Sequence, residues 1–146
     1  MHTFLRVSTA ALLSISALGL AACGSDGDTG TSASGGVTEL QIQELRLGNG
    51  AEATNGKVLS VRYTGWLYDQ RRPENKGNQF DAGTYSFTLG RREVIAGWDQ
   101  GVAGMKVAGQ RRLTIPPQLA YGATGVSGAI PPNWTLVFDV ELLDVR

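Results

Sequence analysis

The chain has 146 residues, with 13 basic and 13 acidic side chains and no long run of either sign, so its charge gives no indication of a nucleic-acid partner or of binding to an anionic membrane surface. The only cysteine is Cys23 and the only histidine is His2. This excludes an internal disulfide and, if the N-terminus is removed, also histidine acid–base chemistry and the commonest zinc ligand. We therefore expect no cofactor and no metal site.

Residues 1–22 have the pattern of a secretory signal peptide, because Arg6 is followed by an apolar stretch that is short for a membrane span. The stretch ends in Leu20-Ala21-Ala22-Cys23, which resembles the lipobox of bacterial lipoproteins. That resemblance implies cleavage before Cys23 and lipidation of its sulfur. Each buried acyl CH₂ contributes about 0.8 kcal/mol, so two or three chains would anchor the protein to a bacterial membrane, on its periplasmic or cell-surface side. An ordinary signal peptide, or an uncleaved anchor with an incidental cysteine, is the alternative.

A linker is predicted directly after the cysteine. Residues 24–36 contain no large apolar side chain, so they cannot bury enough surface to offset the loss of chain entropy. We therefore interpret residues 23–36 as a lipidated cysteine with a flexible tether. Residues 37–146 are enough for one small domain with a single core.

Strands are predicted where β-branched and aromatic residues alternate or cluster. The first has a bulge near Gln43 and Glu44, where the parity of the apolar residues changes. The third is expected as short extended pieces around Gly83. The predicted strands are 40–47, 57–67, 79–89, 110–115 and 135–145, and the Gly- and Pro-rich segment 116–133 is a structured loop.

One helix is predicted over Glu93–Met105, where apolar residues recur at helical spacing. Gly97, Gly101 and Gly104 weaken its intrinsic propensity, so packing must hold it. Glycines in such a helix would let a sheet approach closely. One helix against an antiparallel sheet is an α+β arrangement.

Five blocks, in this order, resemble the FKBP family of peptidyl-prolyl cis-trans isomerases and span nearly the whole domain. They are VRYTGWL at 61–67, QFD at 79–81, LGRREVIAGWDQGVAGM at 89–105, AYGATG at 120–125 and IPPNWTLVFDVELL at 130–143. The resemblance implies an FKBP-like half-conical antiparallel sheet of five or six strands, wrapped around one short helix. It also implies a pocket between the sheet and the helix.

The resemblance assigns two groups of site residues. Trp98 would form the floor, the Tyr121 hydroxyl and the Ile95 N–H would donate to substrate carbonyls, and Asp81 would accept a hydrogen bond or face the carbonyl carbon as the amide twists. Core packing is the alternative role for Val94 and Phe138, and tying down the 116–133 loop is the alternative for Tyr121. The catalytic group is Asp81, Tyr121, Trp98, Tyr63 and Phe138; the substrate-binding group is Phe80, Tyr85, Val94, Ile95, Ala120 and Ile130.

Two departures from the family pattern lie near this pocket. Only three residues separate Asp81 from Tyr85, which omits the usual arginine partner of the aspartate. Arg71, Arg72 and Lys76 are candidates to reach it, although solvated surface charge is the favoured role for all three. Small residues in segment 126–129 imply a smaller flap, an altered substrate preference and a lower affinity for rapamycin-like macrolides.

The implied activity is isomerisation of Xaa–Pro bonds in exported proteins. The expected partners are proline-containing polypeptides and rapamycin-like macrolides, with the membrane reached only through the lipid anchor. We expect a monomer. A non-catalytic chaperone or peptide-binding module that uses the same pocket is the alternative.

Overall fold

The computed structural model describes residues 36–146. The predicted signal peptide, Cys23 and the linker up to residue 35 lie outside the described residues.

The described residues form one five-stranded antiparallel sheet and one short α-helix. The strands are β1 (Gln41–Arg46), β2 (Val58–Tyr68), β3 (Lys76–Thr88), β4 (Gln110–Ile115) and β5 (Leu136–Val145); the helix is α1 (Ala96–Gly101), and short 3₁₀ turns lie at Pro73–Asn75 and Pro117–Leu119. In space the strand order is β1-β4-β5-β2-β3. The α+β, FKBP-like fold predicted from the sequence is confirmed.

Three predicted features differ from the observed ones in continuity, position or length. The pieces expected around Gly83 are one continuous strand of 13 residues, because the ladder with β2 runs through that glycine. The bulge in β1 lies between Glu44 and Arg46. The helix has six residues instead of the predicted Glu93–Met105, because Ile95 is extended and Gly104 has a φ of 78°.

The core lies between the concave face of the sheet and α1. Alternate residues of β5, from Leu136 to Leu142, point into it and are almost fully buried. A Cβ at Gly101 would lie 2.7 Å from the Leu113 side chain on β4, and one at Gly97 would overlap Ile115. The predicted role of these helix glycines, close approach to the sheet, is therefore confirmed.

The convex face carries an ion-pair network. Arg112 and Asp139 are cross-strand partners on β4 and β5, and their side chains form two hydrogen bonds of 2.7 and 3.0 Å. Lys76 Nζ adds a third to Asp139 at 2.7 Å. Burial opposes ionisation of Asp139, but the hydrogen bonds from Arg112 and Lys76 outweigh it and hold its pKa below the ordinary value. Glu74 contacts both cations, which ties the β2–β3 loop across the sheet.

Within residues 36–146, no helix is both long and apolar enough to cross a membrane. The same part of the chain brings no three His, Cys, Asp or Glu side chains together as candidate metal ligands.

Candidate active site

A cleft of about 220 Å³ opens between the concave face of the sheet and α1. It is smaller than the roughly 300–1,000 Å³ of pockets for drug-sized ligands, which suits one or two amino-acid residues. β2, β3 and β5 supply its aromatic walls, while α1 and the segment before it supply the floor and one side. The lining residues are Tyr63, Phe80, Asp81, Tyr85, Glu93, Val94, Ile95, Trp98, Tyr121 and Phe138.

Trp98 forms a rigid floor, because it is only 5% exposed and rings surround it. Its ring meets Tyr63 at 5.0 Å and Phe138 at 5.3 Å between centroids, both in edge-to-face geometry. Phe87 packs at 5.9 Å. The indole N–H is buried and has no hydrogen-bond partner among residues 36–146, so Trp98 acts through its ring.

A β-bulge brings two consecutive residues of β3 to the cleft. Gly65 on β2 pairs with Asp81, but Trp66 pairs with Gln79, so Phe80 is an extra residue in the ladder. Without the bulge Phe80 would lie on the opposite face from Asp81. A Cβ on Gly65 would lie 2.7 Å from both Phe80 and Phe138, so glycine at this position gives room for the two rings.

Asp81 is held by Tyr63 and by its own strand. The Tyr63 hydroxyl donates to Asp81 Oδ2 at 2.8 Å, and the Ala82 N–H donates to Oδ1 at 2.9 Å. Burial and the hydrogen bond to Asp81 raise the pKa of Tyr63 to about 12. Tyr63 is therefore a neutral donor at any physiological pH.

None of the basic residues proposed from the sequence contacts Asp81. Arg71 and Arg72 pair with Asp69, and Lys76 pairs with Glu74 and Asp139. Arg71 and Arg72 are exposed, as the favoured alternative of surface charge expected, whereas Lys76 is largely buried in the convex-face network. The β2–β3 loop turns toward the convex face, while Asp81 lies on the concave one.

Two hydrogen-bond donors lie at the edge of the cleft. Tyr121 follows the Pro117–Leu119 turn and is 41% exposed. Burial, and next the charge of Asp81, raise the pKa of Tyr121, so this hydroxyl also stays protonated. The Ile95 N–H has no acceptor among residues 36–146, whereas the Ile95 carbonyl accepts from Trp98 N at 2.9 Å.

The structure brings nine of the eleven predicted site residues to the cleft and places two elsewhere. Ile130 is 5% exposed and belongs to the core cluster, outside the cleft lining. Its backbone forms two 2.8 Å hydrogen bonds with Val126 that close the loop. Ala120 also packs against the core, outside the cleft lining. Sequence reasoning missed Glu93, which lines the cleft. Its position next to Val94 was the available signal.

Comparisons with known proteins give one consistent family. Residues 50–143 match the family described as FKBP-type peptidyl-prolyl cis-trans isomerase. An FK506-binding protein of Neisseria meningitidis serogroup A is 49% identical over 111 residues, which cover 73% of this chain and 95% of that protein. FK506-binding protein 4 of Dictyostelium discoideum is also 49% identical, over 71% of this chain but only 28% of that longer protein.

Solved structures give the same family. The crystal structure of FkpA from Escherichia coli is 42% identical with a TM-score of 0.63, and the match covers 75% of this chain and 49% of that one. AtFKBP13 is 35% identical with a TM-score of 0.63, over 73% and 93% of the two chains. Members of this family bind proline-containing peptides and macrolides. The chain thus belongs to the FKBP-type peptidyl-prolyl cis-trans isomerases and is an enzyme of that type.

Proposed function

We propose that the cleft isomerises Xaa–Pro bonds of exported polypeptides by taking the prolyl amide out of water and favouring its twisted form. The observation that carries this proposal is the buried indole of Trp98, which lies beneath an open cleft with Tyr63 and Phe138 set edge-on against it. A flat apolar floor between rigid rings suits the five-membered ring of proline.

The reaction needs no covalent step. Rotation about the Xaa–Pro bond breaks amide conjugation over a barrier of about 18–20 kcal/mol. The planar amide has a larger dipole than the twisted one and is better solvated by water, so transfer into an apolar cleft favours the twisted state. A million-fold acceleration requires about 8 kcal/mol, part of which can come from fixing the ring and the preceding carbonyl.

Three polar groups would orient the substrate in this cleft. The Ile95 N–H and the Tyr121 hydroxyl are donors suited to peptide carbonyls, and Asp81 is an acceptor near the twisting bond. The raised pKa of Tyr121 keeps its hydroxyl protonated. The other donor is a backbone N–H, which does not titrate. Tyr121→Phe should therefore lower kcat/KM and leave the melting temperature within about 2 °C of wild type, since it removes one partly exposed hydroxyl.

The proposal includes an export signal and a lipid anchor to a membrane. The Leu20-Ala21-Ala22-Cys23 pattern supports lipidation of Cys23, and a tether of 13 residues would let the domain reach about 20 Å from the membrane. The substrates would then be unfolded or refolding proteins on the far side of a bacterial inner membrane or at the cell surface. We also propose that the domain works as a monomer.

The activity is tested with the full-length chain in mild detergent and a prolyl peptide whose cis and trans forms differ in absorbance or NMR signal. We expect acceleration that a rapamycin-like macrolide abolishes. Peptide binding without acceleration would contradict the proposal and leave the non-catalytic chaperone or binding module as the function.

The anchor is tested separately with Cys23→Ser. We expect the wild-type chain in the membrane fraction with a lipid-sized mass increase, and the variant without that increase and released from the membrane once processed. A processed variant that remains membrane-bound would show that lipidation is not the anchor.

A further inference from the structure

The segment between β3 and α1, residues 89–95, carries Val94 and Ile95 to the cleft, and we call it the cleft loop. Its backbone has positive φ at Gly90 (82°) and at Arg92 (58°). The second value is unfavourable for a residue with a Cβ atom. The loop therefore needs contacts elsewhere that hold this shape.

Asp99 supplies two of these contacts from the first turn of α1. Its Oδ1 accepts from the Gly90 N–H at 3.0 Å, and its Oδ2 accepts from the Arg92 N–H at 3.2 Å. Neither amide has another acceptor among residues 36–146, and no Lys or Arg in that part of the chain lies within ion-pair distance of Asp99. Both carboxylate oxygens are thus engaged by the loop backbone.

A second carboxylate closes the loop at its other end. Glu93 Oε2 accepts from the Thr88 N–H at 2.8 Å, which joins the last residue of β3 to the residue before Val94. Three backbone N–H groups of this turn therefore donate to two side chains. Charge-assisted hydrogen bonds of this kind are stronger than those between neutral groups.

These contacts connect the floor of the cleft to its backbone donor. Asp99 directly follows Trp98 on α1, and the Ile95 carbonyl accepts from the N–H groups of both residues, at 2.9 Å from Trp98 N and 3.3 Å from Asp99 N. Ile95 lines the cleft, and its N–H donates to no acceptor among residues 36–146 while its carbonyl is bound to the helix. The angle between the indole and this N–H then depends on how the loop is held against the helix.

We infer that Asp99 is a positioning residue: it holds the cleft loop on α1 so that the Ile95 N–H and the Trp98 ring act on the same prolyl amide. This inference rests on the proposed function, in which that N–H orients the substrate. A carboxylate that never touches the substrate would then affect turnover, because misplacement of a reacting group by about 1 Å can cost up to about a hundredfold in rate.

The test compares Asp99→Asn with Asp99→Glu in the full-length chain. The amide nitrogen of asparagine would face one of the two N–H donors, so we expect kcat to fall by about tenfold or more and KM to change by less than about twofold. Glutamate keeps the carboxylate and should recover at least part of kcat. Asp144→Asn, which removes an exposed carboxylate paired with Arg146, is the matched control and should match wild type.

A structural role alone would give a different result. Asp99→Asn with a lower melting temperature but wild-type kcat would overturn the inference. So would an Asp99→Glu variant that is folded and no more active than Asp99→Asn.

Hydrogen exchange tests the contact in the wild-type chain and needs no variant. The Gly90 and Arg92 amides are in exposed residues, yet they should exchange at least about tenfold more slowly than unprotected amides. Exchange at the unprotected rate would overturn the inference, even if Asp99→Asn failed to fold. A wild-type chain without isomerase activity but with protected amides would instead contradict the proposed function.

Discussion

The Tyr63 hydroxyl donates a 2.8 Å hydrogen bond to Asp81, from one strand of the sheet to its neighbour. The two side chains are diagonal partners on the concave face, since Tyr63 pairs with Gly83 and Asp81 with Gly65. The partner of the carboxylate inside the cleft is thus a neutral hydroxyl, whereas an arginine partner would place a positive charge beside it.

Tyr63→Phe should lower kcat/KM by about tenfold or more, because a hydrogen bond to a charged group contributes about 1.5–3 kcal/mol. The ring that packs on Trp98 is retained, so the fold should persist. Tyr68→Phe, on β2 but outside the cleft lining, is the matched control for loss of a tyrosine hydroxyl. Equal activity in the two variants would show that Asp81 does not depend on Tyr63.

Tyr63 should also make the free energy of unfolding of the domain fall at alkaline pH. Its pKa is about 12 in the folded chain and 10.0 in the reference state. Below pH 10 both states are protonated and stability does not depend on this group. Between 10 and 12 the unfolded state loses its proton first, so the free energy of unfolding falls.

Denaturant unfolding at about pH 9 and about pH 11.5 measures this effect. The fall in unfolding free energy should be smaller in Tyr63→Phe than in wild type, because the variant lacks the shifted group. Parallel falls in the two proteins would contradict the prediction.

Trp98→Ala should abolish measurable isomerisation and destabilise the domain by about 3–5 kcal/mol, the usual cost of a deleted core aromatic. Trp66→Ala is the control, because Trp66 lies on the convex face under Lys76, with Nζ 4.3 Å from the ring centroid. It should lose stability but keep activity when assayed below its melting temperature. Wild-type activity in Trp98→Ala would contradict the role of Trp98 as the floor on which proline sits.

Gly65→Ala should raise KM and lower kcat/KM by about tenfold, since its methyl group would push Phe80 or Phe138 into the cleft. Gly83→Ala is the matched strand-glycine control, because the nearest atom to its Cβ would be 3.9 Å away. Peptide kinetics on both variants check this. Similar kinetics would mean that the aromatic walls adjust freely.

Asp139→Asn should lower the free energy of unfolding by about 2 kcal/mol, because Arg112 and Lys76 lose the more buried of their two shared carboxylates and keep only the exposed Glu74. Asp144→Asn should cost less than about 0.5 kcal/mol, as its pair is exposed. Urea unfolding of both variants measures the difference. Comparable losses would indicate that the network contributes no more than a surface pair.

Much of the fold was predictable because local patterns and family blocks agreed. β4 begins and ends as predicted, and the alternation in β5 correctly placed Phe138 in the core. The helix was overestimated because Ile95 and Met105 share the apolar face of α1 without being helical, so periodicity alone could not find its ends. The two ends of the helix are set by the non-helical backbone of Ile95 before it and by the positive φ of Gly104 after it.

The site was less predictable where its contacts join residues that are far apart in the sequence. The sequence left the partner of Asp81 open once the usual arginine was missing, and that partner is a tyrosine eighteen positions earlier in the chain, which only the β2–β3 register brings near. Glu93 was overlooked because it belongs to no recognisable motif; its carboxylate accepts a hydrogen bond from the Thr88 N–H. Ile130 lies in a family block, but the hairpin with Val126 turns its side chain into the core.

The extra residue in β3 makes the cleft sensitive to chain length as well as to side-chain identity. Deleting one position at Phe80 would remove the irregularity between Gly65 and Trp66 in the ladder with β2 and would leave the one between Trp66 and Tyr68 in place. Gln79 would then lie next to Asp81 along the strand with no intervening ring. The enzyme would keep every hydrogen-bonded strand and lose one wall of its cleft. Insertions and deletions within this strand should therefore change substrate choice more sharply than changes of equal size in the adjoining 69–75 hairpin loop.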